Sequence, residues 1–431
     1  MTKKRIATLY SIVFLLAIVL SLVLVFFFNQ DKDSTKPNEE LQNEQDIKNE
    51  EPRDPDSEPR DPDSEPSKDN GDTPENKLEK KVETIMENMS LREKIGQLMI
   101  VGFQSSQVDD HITEMITDYN VGGVIYYDRN MKTPRQVAEL SNDLQELASQ
   151  TQHKLPLMLS IDQEGGAIVR MKEHVTPIPS QQTLGQQGDA AAVYHTAYLT
   201  GQELSTMGIH VNFAPVLDLS DQDSRSFGSD PEKANLFGQE VIKGLVDSGM
   251  VATLKHFPGH GRTNVDPHKD TSSVEVDRFD LENQDLYPFK KTIEQIDHQS
   301  FFVMVTHVKY PAYDEVNPAS ISPTIIQELL RDELGYTGIV VTDDLEMGAV
   351  NKYFTYEDLG YKAVEAGADI LLVCHTLENQ KKVFNGILEA VETNQLSEER
   401  IDEAVKRILM YKLSSLKNTH VDPSRAEKMV G

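Results

Sequence analysis

Short, nearly continuous apolar runs recur along the chain at 97–103, 122–127, 156–162, 210–216, 251–256, 301–307, 338–343 and 368–374. Their length suits strands rather than helices. Between them apolar residues return at helical spacing, as at 133–149, 190–207, 233–247, 322–334 and 356–366. Eight strands alternating with helices predict a parallel sheet buried on both faces, and a closed (β/α)8 TIM-type barrel is the architecture that suits them. An open doubly wound sheet is the competing arrangement, but neither a GxGxxG nor a P-loop pattern follows any run.

The N-terminus breaks this pattern. Lys3, Lys4 and Arg5 precede an uncharged stretch from Ile6 to Phe28, which as a helix would cover about 34 Å, enough for the core of a bilayer. A cleavable signal has a shorter apolar stretch and then a small-residue site; here three phenylalanines run directly into Asn29 and Gln30. Residues 1–28 are therefore expected to form a cytoplasmic stub and transmembrane signal anchor, placing everything after Phe28 outside, on the cell-wall side. Cleavage of this segment would make the protein secreted instead.

Residues 29–76 hold 17 acidic and 6 basic residues and almost no apolar ones, so they cannot bury enough surface to offset the entropy of ordering. The heptapeptide EPRDPDS stands there twice in succession, at 51–57 and 58–64. A disordered acidic, Pro-rich linker is expected, followed by one catalytic domain at 77–431.

Charge and composition narrow the function. With 71 Asp and Glu against 42 Lys and Arg, the chain carries a net charge of −29, which argues against nucleic acid as a partner, because phosphates are bound by clustered cations. A single cysteine, Cys374, excludes an intramolecular disulfide framework and a cysteine zinc site. Trp is absent, but 14 Tyr and 15 Phe remain available for stacking against a sugar. A monomer is expected.

In a TIM barrel the chemistry sits at the C-terminal ends of the strands. Polar residues gather there in this sequence: Asp162-Gln163-Glu164-Gly165-Gly166 after the third run, Lys255-His256-Phe257-Pro258-Gly259-His260-Gly261 at the fifth, Thr306-His307 at the sixth, and Thr342-Asp343-Asp344 at the seventh. A lone carboxylate there commonly caps the next helix, a role that suits Asp344 better than Asp343. His256, His260 and His268 lie within thirteen residues, but no His-x-His follows the first strand. A metal-dependent reading is the lesser one on that ground, and neither metal nor cofactor is expected.

Taken together, IDQEGG with Arg170, NFAPVLD at 212–218, RSFG at 225–228, KHFPGHG at 255–261 followed by Asp266-Pro267-His268, PASIS at 318–322 and TDDLEM at 342–347 resemble glycoside hydrolase family 3. Within that family they are most similar to the bacterial β-N-acetylglucosaminidase branch associated with muropeptides. The resemblance runs from Leu91 to Leu413. It implies a retaining exo-acting hydrolase that releases N-acetylglucosamine through a covalent glycosyl-enzyme, with Asp343 as nucleophile, His268 as acid and base, and Asp266 as its orienting partner. It further implies that Asp162, Arg170, Arg225, Lys255 and His256 contact sugar hydroxyls or the N-acetyl group. His307 is read as either a substrate contact or a loop-packing residue. The expected substrate is an N-acetylglucosamine-containing oligosaccharide or muropeptide, with water or phosphate as acceptor. Three positions depart from the pattern: Ala167, Arg262, and Pro267, which stiffens the loop between the two dyad residues and donates no N–H. A family 3 β-glucosidase or β-xylosidase, a metal-dependent barrel hydrolase and an inactive wall-binding module are the competing readings.

Overall fold

A computed structural model of the chain describes residues 73–263, 272–417 and 419–431. The expected membrane anchor at 1–28, the linker as far as residue 72, and Asp266, Pro267 and His268 all lie outside the described residues. The first described helix, Pro74–Glu87, starts inside the segment expected as linker; the Thr73 side chain accepts from Asn76 N and Pro74 opens the first turn, where its missing N–H costs nothing.

Eight parallel strands follow: β1 (Met99–Val101), β2 (Gly123–Tyr126), β3 (Met158–Ile161), β4 (Val211–Asn212), β5 (Ala252–Phe257), β6 (Phe301–Val305), then, after a small hairpin, β9 (Val340–Asp344) and β10 (Ile370–Val373). The hairpin is β7 (Lys309–Tyr310) and β8 (Asp314–Pro318). Strand neighbours run β4-β3-β2-β1-β10-β9-β6-β5. Single bridges between Val211 and Val251 and between Val216 and Lys255 join the two ends, giving a nearly closed (β/α)8 barrel. β4 is only two residues long, but backbone bonds from Thr253 N to Ala214 O, Lys255 N to Pro215 O and Leu217 N to Lys255 O carry the seam with β5 further.

Each of the eight runs overlaps one strand of the barrel, β5 and β9 ending one residue beyond theirs, and helices cover the sheet as their periodicity requires. Caps begin these helices: Thr133, Ser180, Asp189, Asp230, Thr355 and Ser397 each offer a side-chain oxygen to a backbone N–H of the first turn. Every residue of β1, β2, β3 and β10 is buried, which explains why these strands read as solid apolar runs instead of alternating. The β7–β8 hairpin was not legible, since Asp314-Glu315-Val316-Asn317-Pro318 has no strand pattern. The Asp314 carboxylate accepts from Val316 N, Asn317 N and Ser322 Oγ, holding the excursion in shape.

Candidate active site

The C-terminal ends of β3, β5 and β9 and the segments after β4 converge on one polar cluster. Gly165 and Gly166 after β3 have φ of +103° and +59°, and a Cβ at Gly165 would stand 2.3 Å from the Pro179 carbonyl oxygen. Only glycine allows that turn. The turn is held by Gln163, whose backbone pairs with the Asn212 amide in both directions and whose Oε1 accepts from Arg170 N at 2.7 Å. Asp162, Glu164 and Arg170 thereby face one another.

Lys255 connects these groups. Its ammonium, almost wholly buried, lies 2.8 Å from Asp162 Oδ1 and 2.6 Å from Glu164 Oε1. Arg225 donates to both Glu164 oxygens, at 2.7 and 2.9 Å, in the two-pronged geometry a guanidinium favours. Burial alone would raise the Glu164 pKa, but Lys255 and Arg225 outweigh it and hold the carboxyl down to about 2. Arg170 bonds Asp128 at 3.2 Å and approaches Asp162 at 3.8 Å. Of the sequence-predicted contacts, Asp162, Arg170, Arg225 and Lys255 therefore sit in one ion-paired patch, while His256 pairs with Asp218 beside it.

Asp343, the penultimate residue of β9, stands beside this patch. Its Oδ1 accepts from Asp344 N at 2.8 Å, and His256 Nε2 lies 4.0 Å from its Oδ2. Burial pushes the Asp343 pKa up, while His256, His307, the Asp344 N–H and Lys255 together pull it below the ordinary carboxylate range. The result is an ionised carboxylate whose Oδ2 has no hydrogen-bond donor among the described residues, which is the state a nucleophile requires.

His307 has a different position. It is fully buried, its Nδ1 pairs with Ser320 Oγ at 2.7 Å and its Nε2 with the Asp344 carbonyl at 2.9 Å. A carbonyl only accepts, so Nε2 carries the proton and donates it; burial holds the ring pKa below normal. Both nitrogens are thus used inside the protein. The ring supports the end of β9 through Nε2.

Two further carboxylates near the site are committed elsewhere. Asp344 Oδ1 accepts from Glu346 N and Cys374 N. Glu346 accepts from His375 N, Thr376 N and the Asn379 side chain, capping the turn into the next helix. With Glu164 held ionised by two cations, none of the three is placed to give a proton to a leaving group.

Asp218 had no role in the sequence reading, although it closes the NFAPVLD motif two residues beyond the fourth run. Its Oδ2 lies 2.6 Å from His256 Nδ1 and 3.2 Å from His260 Nε2. Its Oδ1 accepts from His256 N and His260 N at 3.2 and 2.8 Å. Burial raises its pKa, but the two histidines and these bonds bring it far below normal. Asp218 fixes the loop after β5 and holds the ring whose other nitrogen faces Asp343. The signal was the rule applied to the other strands, that polar residues just past a strand end are site residues.

Arg262 leads into the segment that carries Asp266 and His268. Its Nε lies 2.7 Å from Asp285 Oδ2. Asp285 is buried, and that burial exceeds the help of Arg262, so its pKa rises to about 6. Arg262, one of the three departures from the family pattern, thus clamps the chain where that segment begins. Nothing in the sequence marked Asp285 as its partner.

Residues 90–411 match the glycosyl hydrolase family 3 N terminal domain. The chain belongs to this family of glycoside hydrolases. It is 34% identical over 329 residues to a beta-hexosaminidase A of Pseudoalteromonas piscicida, covering 70% of this chain and 54% of that protein. It is also 34% identical to a beta-hexosaminidase of Nitrosomonas eutropha, covering 66% of this chain and 83% of the relative. The fold superposes with a TM-score of 0.74 and 39% identity on a family 3 beta-N-acetylglucosaminidase from a Paenibacillus species, over 79% of this chain and 67% of that one. The chain thus spans about half of the first relative and most of the second.

Proposed function

We propose that the protein is a retaining, exo-acting β-N-acetylglucosaminidase whose nucleophile is Asp343. The observation that carries this reading is the state of Asp343: ionised, without a hydrogen-bond donor to Oδ2 among the described residues, and set beside a patch in which Asp162, Lys255, Glu164 and Arg225 neutralise one another. Sugar hydroxyls, which both donate and accept, suit such a patch because they can pair with its carboxylates and its cations. Asp343 attacks the anomeric carbon and the leaving oxygen receives a proton; water or phosphate then attacks the glycosyl ester while the same acid-base group takes a proton back. That group is His268 with Asp266 orienting its ring, a pairing that suits exchange near neutral pH. The commitment of Glu164, Asp344 and Glu346 to protein partners supports this assignment. The relatives' names support an N-acetylglucosaminide substrate, and an anchor at 1–28 with a linker would place the domain at the cell wall, near muropeptide fragments.

Hydrolysis of 4-nitrophenyl N-acetyl-β-glucosaminide compared with the glucoside tests the sugar. Preference for the glucoside would overturn it. His268→Ala tests the acid-base role: kcat should fall about tenfold to a hundredfold with a nitrophenolate leaving group and far more with a sugar aglycone, as general acid help is worth about 10²–10⁴. Equal losses for both leaving groups would sink the dyad. Fractionation with N-terminal sequencing tests the anchor, which fails if the protein starts near Asn29 and is found free in the medium.

A further inference from the structure

β9 reaches Asp343 through a fault in its pairing. On the β6 side the register is regular through Thr342, which pairs with Val305. On the β10 side Val341 pairs with Ile370 and Asp344 with Leu372, so Thr342 and Asp343 together stand opposite the single residue Leu371. Such a bulge is rare between parallel strands; it interrupts the ladder and turns a side chain out of the regular pleat. Side chains fill the interruption. Leu372 N donates to Thr342 Oγ1 and Cys374 N to Asp344 Oδ1, each at 3.2 Å. From the β6 side His307 Nε2 donates to the Asp344 carbonyl at 2.9 Å. Thr342, His307, Leu372 and Cys374 are all buried, so an N–H that lost its acceptor here would find no water to replace it.

A regular strand would satisfy these backbone groups with carbonyls alone and would need neither a hydroxyl nor an imidazole. The extra residue in β9 creates the need for both. We propose that Thr342 and His307, with Ser320 behind it, are positioning residues for the nucleophile. They hold the two ends of the bulge, Thr342 before Asp343 and Asp344 after it. Asp343 Oδ1 thereby stays on the Asp344 N–H at 2.8 Å, and Oδ2 stays on the side of His256. Ser320 fixes the histidine. Its Oγ lies 2.7 Å from His307 Nδ1, and because Nε2 carries the ring proton, Nδ1 accepts from that hydroxyl and the ring cannot turn without losing both bonds. All three residues act through Asp343, so the inference rests on Asp343 being the nucleophile.

The test is made on the full-length protein, with rates expressed per molecule shown folded by circular dichroism. Thr342→Val keeps the shape of the side chain and removes its hydroxyl. It should lower kcat about tenfold to a hundredfold with KM little changed, since a small misplacement of a reacting group costs rates of that order. The loss should be equal for nitrophenolate and sugar leaving groups, because attack by Asp343 is common to both, whereas loss of a general acid separates them. The rate at which a 2-fluoro glycoside traps the glycosyl ester should fall by the same factor. Thr342→Ser returns a hydroxyl and should recover most of both rates. Ser320→Ala frees His307 Nδ1 and should slow trapping several-fold; it decides the question if Thr342→Val does not fold. An unchanged trapping rate in folded Thr342→Val, no recovery in Thr342→Ser, or, where Thr342→Val is unfolded, an unchanged rate in Ser320→Ala overturns the positioning role. A label on Asp343 with unchanged rates removes that role alone, whereas a label on another residue removes the nucleophile and the positioning role together.

Discussion

The two ends of the barrel each bury an aspartate next to the same strand, β9, and treat it in opposite ways. At the lower end Asp369 is fully buried between three arginines, with Arg331 at 2.7 Å and Arg400 and Arg407 each at 3.0 Å, and its Oδ2 also accepts from Val340 N. At the upper end, among the described residues, Asp343 has no arginine partner; one oxygen takes a backbone N–H and the other meets only His256, at 4.0 Å. Both pKa values lie below the ordinary range although burial raises each: direct contact with three guanidiniums does this for Asp369, and nearby charges and one N–H for Asp343. A carboxylate with every lone pair engaged holds the structure together. One kept ionised by neighbours that stay off its second oxygen remains able to form a bond.

The largest effect should come from Asp343→Asn, which cannot form a glycosyl ester: kcat should fall by at least about a thousandfold while the melting temperature changes little. A 2-fluoro sugar that traps the intermediate should label the peptide with Thr342-Asp343, and a label on Asp344 or Asp162 would break the contrast. Asp369→Asn should do the reverse. It leaves three arginines facing a neutral amide and should cost about 3–5 kcal/mol in urea unfolding, with turnover per folded molecule unchanged.

Glu164→Gln probes the middle ground, since this carboxylate is held by Lys255 and Arg225 yet borders the cleft. Removing the charge that pairs with both Lys255 and Arg225 should lower kcat/KM about tenfold to a hundredfold, following a penalty of about 1–3 kcal/mol. A loss as large as that of Asp343→Asn would mean that Glu164 takes part in bond making.

The smallest effect concerns another charge at the lower end. Lys412 is fully buried with Gln97 Oε1 as partner at 2.7 Å, and burial lowers its pKa to about 7. Between that value and the ordinary 10.5 the unfolded chain holds a proton that the folded chain lacks, so this group lowers stability progressively as pH falls from 10.5 to 7. Lys412→Met should raise stability at pH 7 by about 1–2 kcal/mol and flatten the dependence across that window in thermal unfolding. An unchanged pH profile would show that the amine is charged and compensated in the fold.

Local pattern carried the architecture of this domain because parallel strands covered on both faces must be apolar throughout, and the helices between them must be apolar on one face. The cap residues are equally local, each meeting an N–H two or three positions on. Motif order was enough to point to Asp343, Asp162, Lys255 and Arg225 before any coordinates. Which of these groups touch was another matter, since Lys255 meets Asp162 across 93 positions and Arg225 meets Glu164 across 61. Only the side-by-side arrangement of strands in the barrel brings such residues together. Closure between β4 and β5 put Asp218 against His256 and His260, while packing around neighbouring strands turned His307 inward to Ser320 and gave Asp369 its arginines. In each case the partner was chosen by the geometry of strand ends around a ring, a relation that spacing along the chain does not encode.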